Sequence, residues 1–190
     1  GSGLPYTVPR GVYQCVDGKW VGVSASSDTV AARVMKILGI DPGSRITGFG
    51  LIEANKLKFT YLSSGCIRTQ GDLNERIITI YEGVKEVIAK HEIDIVVIER
   101  VFMRPDRPNP DAAIKLGHAR GAIISATGGQ GIPIIDYTAN QIKKAVVGRG
   151  HASKEQVSFM VQQLLKLNKA PQEDAGDALA GAICHAYHAL

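Results

Sequence analysis

Apolar and polar positions alternate in short runs through the first third of the chain and then settle into longer helical repeats. Two alternating runs, Val12-Tyr13-Gln14-Cys15-Val16 and Lys19-Trp20-Val21-Gly22-Val23, flank Asp17-Gly18. That dipeptide favours a two-residue hairpin turn. Ser26-Ser27-Asp28 predicts the cap of a short helix running to Arg33. At Met35 the texture changes. Ile37-Leu38-Gly39-Ile40 is an apolar strand ending in Asp41, and Asp41-Pro42-Gly43-Ser44 reads as a turn. The spacing therefore divides the chain into an N-terminal appendage, residues 1–34, and a main domain, residues 35–190.

Residues 47–53 predict a second strand. Residues 58–62 and 65–69 predict a third, bulged at Ser63-Ser64-Gly65. Three strands so close in sequence make an antiparallel meander. Asp72 caps a helix with Leu73, Ile77, Tyr81, Val84 and Ile88 at helical spacing. Ile95-Val96-Val97-Ile98 is a β-branched run that predicts a buried strand parallel to the first, with Glu99 at its end. Residues 111–127 read as a helix with Gly117 and Gly121 one turn apart. Residues 132–136 read as a strand, and Thr138 starts a helix to about Val147. Ser153 and Gln156 form a capping box for a helix with Val157, Val161, Leu164 and Leu165 inward. Pro171 fits the first turn of a last helix reaching about His188. Hairpins followed by strand–helix alternation predict an α/β domain: a mixed five-stranded sheet, antiparallel first and then parallel, with helices on both faces.

Composition narrows the function. The chain has 190 residues, 45% hydrophobic and 21% charged, so it can build a core. Its net charge of +4 leans toward an anionic partner such as nucleic acid. Residues 35–190 alone hold 19 basic and 16 acidic residues, a net +3. Cys15, Cys66 and Cys184 form no CxxC pair, which excludes a disulfide framework and a cysteine zinc site and suggests a reducing cytoplasm. No apolar run approaches the roughly 18 residues of a membrane span, and no secretory signal is expected at the N-terminus.

The candidate chemistry lies in carboxylates. Asp41 and Glu99 each end an apolar strand, and sites in α/β sheets gather at the carboxyl ends of strands. Asp174 and Asp177 stand at i and i+3 on a helix otherwise made of Ala, Gly, Leu and Ile. Four acids brought to one edge suit hard divalent cations, which prefer oxygen donors. Each has a plainer reading: an Asx turn for Asp41, an ion pair with Arg100 for Glu99, and favourable helix-dipole charges for Asp174 and Asp177. The set as a whole favours a metal site.

These residues sit in wording that resembles the RuvC family of crossover-junction endodeoxyribonucleases. The resemblance runs through residues 37–50, Ser64-Gly65-Cys66-Ile67-Arg68-Thr69 and Glu99-Arg100-Val101-Phe102-Met103. It continues at Lys115-Leu116-Gly117, Ala119-Arg120-Gly121, Gln141-Ile142-Lys143 and Val146-Val147-Gly148. It closes at Asp174-Ala175-Gly176-Asp177-Ala178-Leu179-Ala180. It implies a ribonuclease H-like fold. It also implies a homodimer that nicks two opposed strands of a four-way DNA junction symmetrically, with Mg2+ or Mn2+, two ions per site. Asp41, Glu99, Asp174 and Asp177 fall on the family's catalytic carboxylates, Lys143 and Lys154 on its functional lysines, and Phe102 on an aromatic that stacks on a base near the junction centre. Residues 111–125 fall near its dimer helix. A branch-migration complex is the implied further partner. Two departures stand out: Arg100 follows Glu99 where the family usually has Gln, and the loop at 104–110 is longer and richer in proline. That loop borders the DNA-facing region in the family, so sequence preference or junction opening is where this chain is expected to differ.

From Tyr137 to Lys154 there is no acidic residue, while Lys143, Lys144, Arg149 and Lys154 are basic. A solvated face mixes signs, so this stretch is read as a phosphate-contacting surface. Arg104, Arg107 and Lys115 make a second one. His185 lies three turns beyond Asp174, roughly 16 Å along the helix, and cannot share an ion with it. Two other classes of function fit parts of the pattern. An actin-like ATP-binding protein also carries Asp-x-Gly-Ser after its first strand, but has no need of Asp174 and Asp177. A junction-binding module without catalysis would gain nothing from carboxylates facing phosphates.

Overall fold

A computed structural model of the protein describes residues 7–14, 20–26, 34–100 and 109–189. The chain divides into two units at Val34/Met35. In the first, β1 (Thr7–Gln14) pairs antiparallel with β2 (Trp20–Ser26), and the register shifts between Val8 and Gly11. The turn at Asp17-Gly18 and the helix expected from Ser27 to Arg33 lie outside the described residues.

The second unit is built on a five-stranded sheet in the order β5-β4-β3-β6-β7. Strands β3 (Met35–Asp41), β4 (Ile46–Asn55) and β5 (Lys58–Arg68) form the antiparallel meander. Strands β6 (Ile95–Arg100) and β7 (Ile134–Thr138) add on in parallel. This is the mixed sheet expected, of ribonuclease H-like form. Its central strand β3 buries Ile37, Leu38 and Ile40, as an apolar run covered on both faces should. Helices α1 (Leu73–Ala89) and α2 (Pro110–Gly128) cover one face around Leu38, Ile80 and Ile123. Helices α3 (Ala139–Val147), α4 (Lys154–Leu164) and α5 (Glu173–His188) cover the other around Ile37, Val161 and Ile183.

Capping chemistry sets the helix starts. Asp72 accepts from Glu75 N and Thr138 from Gln141 N, while Ser153 accepts from Gln156 N; each is a capping box. Gly148, with φ 88°, ends α3 in the left-handed region that favours glycine. Two local expectations, the bulge in β5 and the place of Pro171, differ from what the structure shows. The irregularity in β5 falls at Leu62, where Tyr61 pairs with Ile52 and Ser63 with Leu51, one residue before the expected bend. The stripe expected on α1 faces the core, with Ile80, Val84 and Ile88 buried and Ile77 and Tyr81 packed against them. Pro171 precedes α5, whose N-cap is Gln172.

Candidate active site

The site begins with strand register. Ile40 on β3 pairs with Ile98 on β6 in parallel, so the residues that follow, Asp41 and Glu99, emerge together at one edge of the sheet. The turn after β3 is tied by the buried Thr47, whose hydroxyl donates to Gly43 O at 2.8 Å. The turn thus has its own tie, and Asp41 faces a cavity of about 280 Å³ instead.

Glycines bring the third element in. A Cβ on Gly39 would collide with the carbonyl of Ala178, and one on Gly48 with the carbonyl of Asp174. The bare backbones of β3 and β4 therefore let α5 lie directly on the sheet. The small-residue face of α5 makes the same contact from its side, with Ala175, Ala178 and Ala182 buried. This pressing together places Asp177 in the cavity with Asp41 and Glu99. Lys143 of α3 and Lys154 of α4 line the same cavity. Asp174, one turn earlier on α5, does not line it, although its charge acts on Asp41.

The carboxylates strain against one another. Burial pushes Asp41 up to about 7, and Glu99, Asp177 and Asp174 add repulsion. Burial also raises Glu99, with Asp177 contributing, while Lys154 and Lys143 pull it back. Asp177 is raised by burial against the opposing pull of Lys154. A cluster of half-buried acids that oppose one another's ionisation is suited to receive positive charge. Among the described residues, no three His, Cys, Asp or Glu side chains converge closely enough to hold an ion as they stand. The donors are hard oxygens in the right neighbourhood, and Asp174 is the one displaced from the cavity.

Lys154 supplies positive charge within the cluster. Its ammonium donates to Glu173 Oε1 at 2.5 Å and lies 3.7 Å from Asp177 Oδ2. The hydrogen bond to Glu173 holds the Lys154 ammonium above its ordinary range. Of the other basic candidates, Lys144 and Arg149 are exposed beyond Lys143, and Lys115 is paired along α2 with Asp111 at 2.5 Å. Phe102, Arg104 and Arg107 lie outside the described residues.

Three relationships escaped sequence reasoning. Glu173 is the first: its partner Lys154 is 19 positions away on another helix, and only the neighbouring Asp174 and Asp177 hinted at a role. The second is Arg120, which grips both oxygens of Asp136 at 2.8 Å and reaches Glu99 O at 3.4 Å. It clamps α2 to the strand ends that carry the site. The third is the buried pair of the Tyr137 hydroxyl and His185 Nδ1, at 3.0 Å. Burial and His188 hold the His185 imidazole below its usual range, in keeping with a structural histidine.

The family model described as "Crossover junction endodeoxyribonuclease RuvC" matches residues 37–185. A protein of that name from Tolumonas auensis is 53% identical over 152 residues, covering 80% of this chain and 86% of its own length. One from Hydrogenovibrio crunogenus is 52% identical over 155 residues, covering 81% and 88%. Among solved structures, Thermus thermophilus RuvC in complex with a Holliday junction substrate superposes with a TM-score of 0.76 at 34% identity, over 82% of this chain and 94% of that one. The yeast mitochondrial Holliday junction resolvase superposes with a TM-score of 0.61 at 12% identity, over 84% of this chain and 80% of that one, a likeness of fold alone.

Proposed function

This chain belongs to the RuvC family of crossover junction endodeoxyribonucleases, and from that membership we propose that it resolves four-way (Holliday) DNA junctions by paired symmetric nicks in recombination and repair. The observation that carries the reading is one cavity at the sheet edge lined by Asp41, Glu99 and Asp177 together with Lys143 and Lys154. Family membership sets the ATP-binding reading aside.

The reaction is in-line hydrolysis of a phosphodiester, leaving 5′-phosphate and 3′-hydroxyl ends. Asp41, Glu99, Asp174 and Asp177 would hold two Mg2+ ions, with Mn2+ able to substitute. Such ions supply Lewis acidity and a more acidic water. The chain's residues do the positioning. The pairing of β3 with β6 fixes Asp41 beside Glu99. The glycine contacts of α5 set Asp177 opposite them. Lys143 and Lys154 direct positive charge at the phosphate oxygens, where charge builds in the transition state. Lys144 and Arg149 extend that potential along the strand, Arg104, Arg107 and Lys115 form the second basic stretch, and Phe102 stacks on a base near the junction centre.

The nuclease occupies residues 35–190, and residues 1–34 are an appendage with no assigned role. It works as a homodimer through α2. Ile114, Gly117, Gly121 and Ile124 are exposed along one stripe of that helix, and a Cβ on either glycine would meet nothing within 4 Å. Among the described residues no helix is long and apolar enough to cross a membrane. The enzyme acts in the cytoplasm, at the nucleoid, with a branch-migration complex as partner.

The test is a labelled synthetic four-way junction incubated with and without magnesium, beside a linear duplex of the same sequence. Symmetric nicks in the junction alone, and only with metal, are expected. Equal cutting of the duplex, or cutting in chelator, contradicts the reading.

A further inference from the structure

Beside the catalytic cavity, and sharing Lys154 and Asp177 with it, lies a second cavity of about 450 Å³. One wall is the outer face of α4, where Glu155, Ser158, Phe159 and Gln162 stand at i, i+3, i+4 and i+7. The other is the approach to α5, with Pro171, Glu173 and Gly176. Gly176 leaves its side of the cavity flat: a Cβ there would stand 3.3 Å from the Pro171 ring.

Phe159 is 58% exposed, while Val157 and Val161 of the same helix are buried. The ring therefore contributes little to the core and presents an aromatic surface at the mouth of the cavity. A single exposed ring is ordinary on a protein surface, but this one lines a concave cavity next to the site, the setting in which apolar walls and a few polar groups receive a ligand. The charge says what kind of group. Among the described residues Lys154 is the one cation lining the cavity, and it is already paired with Glu173, whereas Glu155, Glu173 and Asp177 are acidic. A backbone phosphate would be repelled from this cavity and drawn instead to the side where Lys143 stands. A flat, uncharged group with donors and acceptors on its edge meets no such penalty. Gln162 Nε2 already donates to Leu167 O at 3.2 Å, which leaves its second N–H and its Oε1 for an incoming group, and Ser158 adds a hydroxyl.

We propose that this cavity receives the nucleobase of a nucleotide flanking the scissile phosphate, stacked on Phe159 with its edge toward Ser158 and Gln162, so that Phe159 helps set which sequences are cut. The inference rests on the nuclease reading above. It rests on continuity: the two cavities share Lys154 and Asp177, so a strand held at Lys143 and Lys154 has the second cavity as its immediate neighbour along that shared wall. Stacking on an aromatic ring is tolerant of base identity, and the polar edge contacts supply the preference.

The test uses four-way junctions that differ only in the bases flanking the cut, with 2-aminopurine at one flanking position. In chelator, binding of the unchanged chain should alter the 2-aminopurine fluorescence at one of these positions, and F159A should not. With magnesium, F159A should lower kcat/KM on the preferred junction about tenfold and flatten the preference among flanking bases. F159W should restore both, and the thermal midpoint of F159A should match that of the unchanged chain. F159A with the same fluorescence response and the same base preference overturns the inference while leaving the nuclease reading intact. An unchanged chain that neither binds nor cuts any junction overturns the nuclease reading, and this inference with it.

Discussion

The carbonyl oxygen of Asp174 occupies the space that a Cβ at position 48 would need, so α5 can reach the sheet only because residue 48 is glycine. The contact lies one turn before Asp177, which lines the cavity with Asp41 and Glu99. Gly48→Ala must push the helix off the strand. Overpacking of this kind costs about 1–3 kcal/mol. The thermal midpoint should fall by about 3–10 °C, and junction cleavage should fall by more than about tenfold, because a small displacement of catalytic groups is amplified in rate. A variant with unchanged cleavage would show that the seat of α5 does not govern the site.

The Asp41 carboxyl gives a pH signature to stability. It is pushed up to about 7 by burial first and by its acidic neighbours second, from an ordinary 3.8. Between those values the folded chain keeps a proton that the unfolded chain has lost, so this group lowers stability as pH rises through the window. Asp41→Asn removes the effect. In chelator the variant should melt above the unchanged chain at pH 8, by about 5 °C or more, and the gap should close toward pH 4. Magnesium should raise the midpoint of the unchanged chain at pH 8 and do less for the variant. Equal melting of the two proteins in chelator across this range would contradict the assigned burial of the charge.

Lys143 lines the cavity with the carboxylates, and Glu99 feels its charge. If its task is to offset charge in the transition state, Lys143→Ala should slow single-turnover cleavage about a hundredfold. Junction affinity, carried by many phosphate contacts, should fall by less than about tenfold. An unchanged rate removes Lys143 from the chemistry.

Arg120 holds Asp136 through two bonds of 2.8 Å and touches the carbonyl of Glu99. Arg120→Lys keeps the charge and loses the fork. The cost should be about 1–3 kcal/mol, read as a lower thermal midpoint, and cleavage should drop with it as the end of β6 loosens. An unchanged midpoint would show that this clamp contributes nothing to the fold.

Much of the site was legible because strand logic is local. Ile37-Leu38-Gly39-Ile40 and Ile95-Val96-Val97-Ile98 are each buried runs that end at an acid, and parallel pairing of such runs brings those acids to one edge. The caps at Asp72, Thr138 and Ser153 were legible for the same reason, since each box lies within four residues. What was not legible depends on packing at a distance. Lys154 meets Glu173 only because α4 and α5 lie side by side, and Arg120 meets Asp136 only because α2 crosses the end of β7. Asp174 and Asp177 share a face by spacing, yet the seating of α5 on Gly48 turns only Asp177 into the cavity. Pro171 stands two positions before the first helical residue, Glu173, because Pro fits the segment that leads into a cap as well as it fits a first turn.

The most direct test of the central claim compares Asp41→Asn with the unchanged chain on one end-labelled four-way junction, measuring binding and cleavage in the same samples. The catalytic assignment of the cavity predicts that the variant binds the junction with affinity within about threefold of the unchanged chain and makes no detectable nicks with magnesium. A variant that still cuts, or one that loses binding in proportion to cleavage, would place the chemistry somewhere other than the edge where Asp41 meets Glu99 and Asp177.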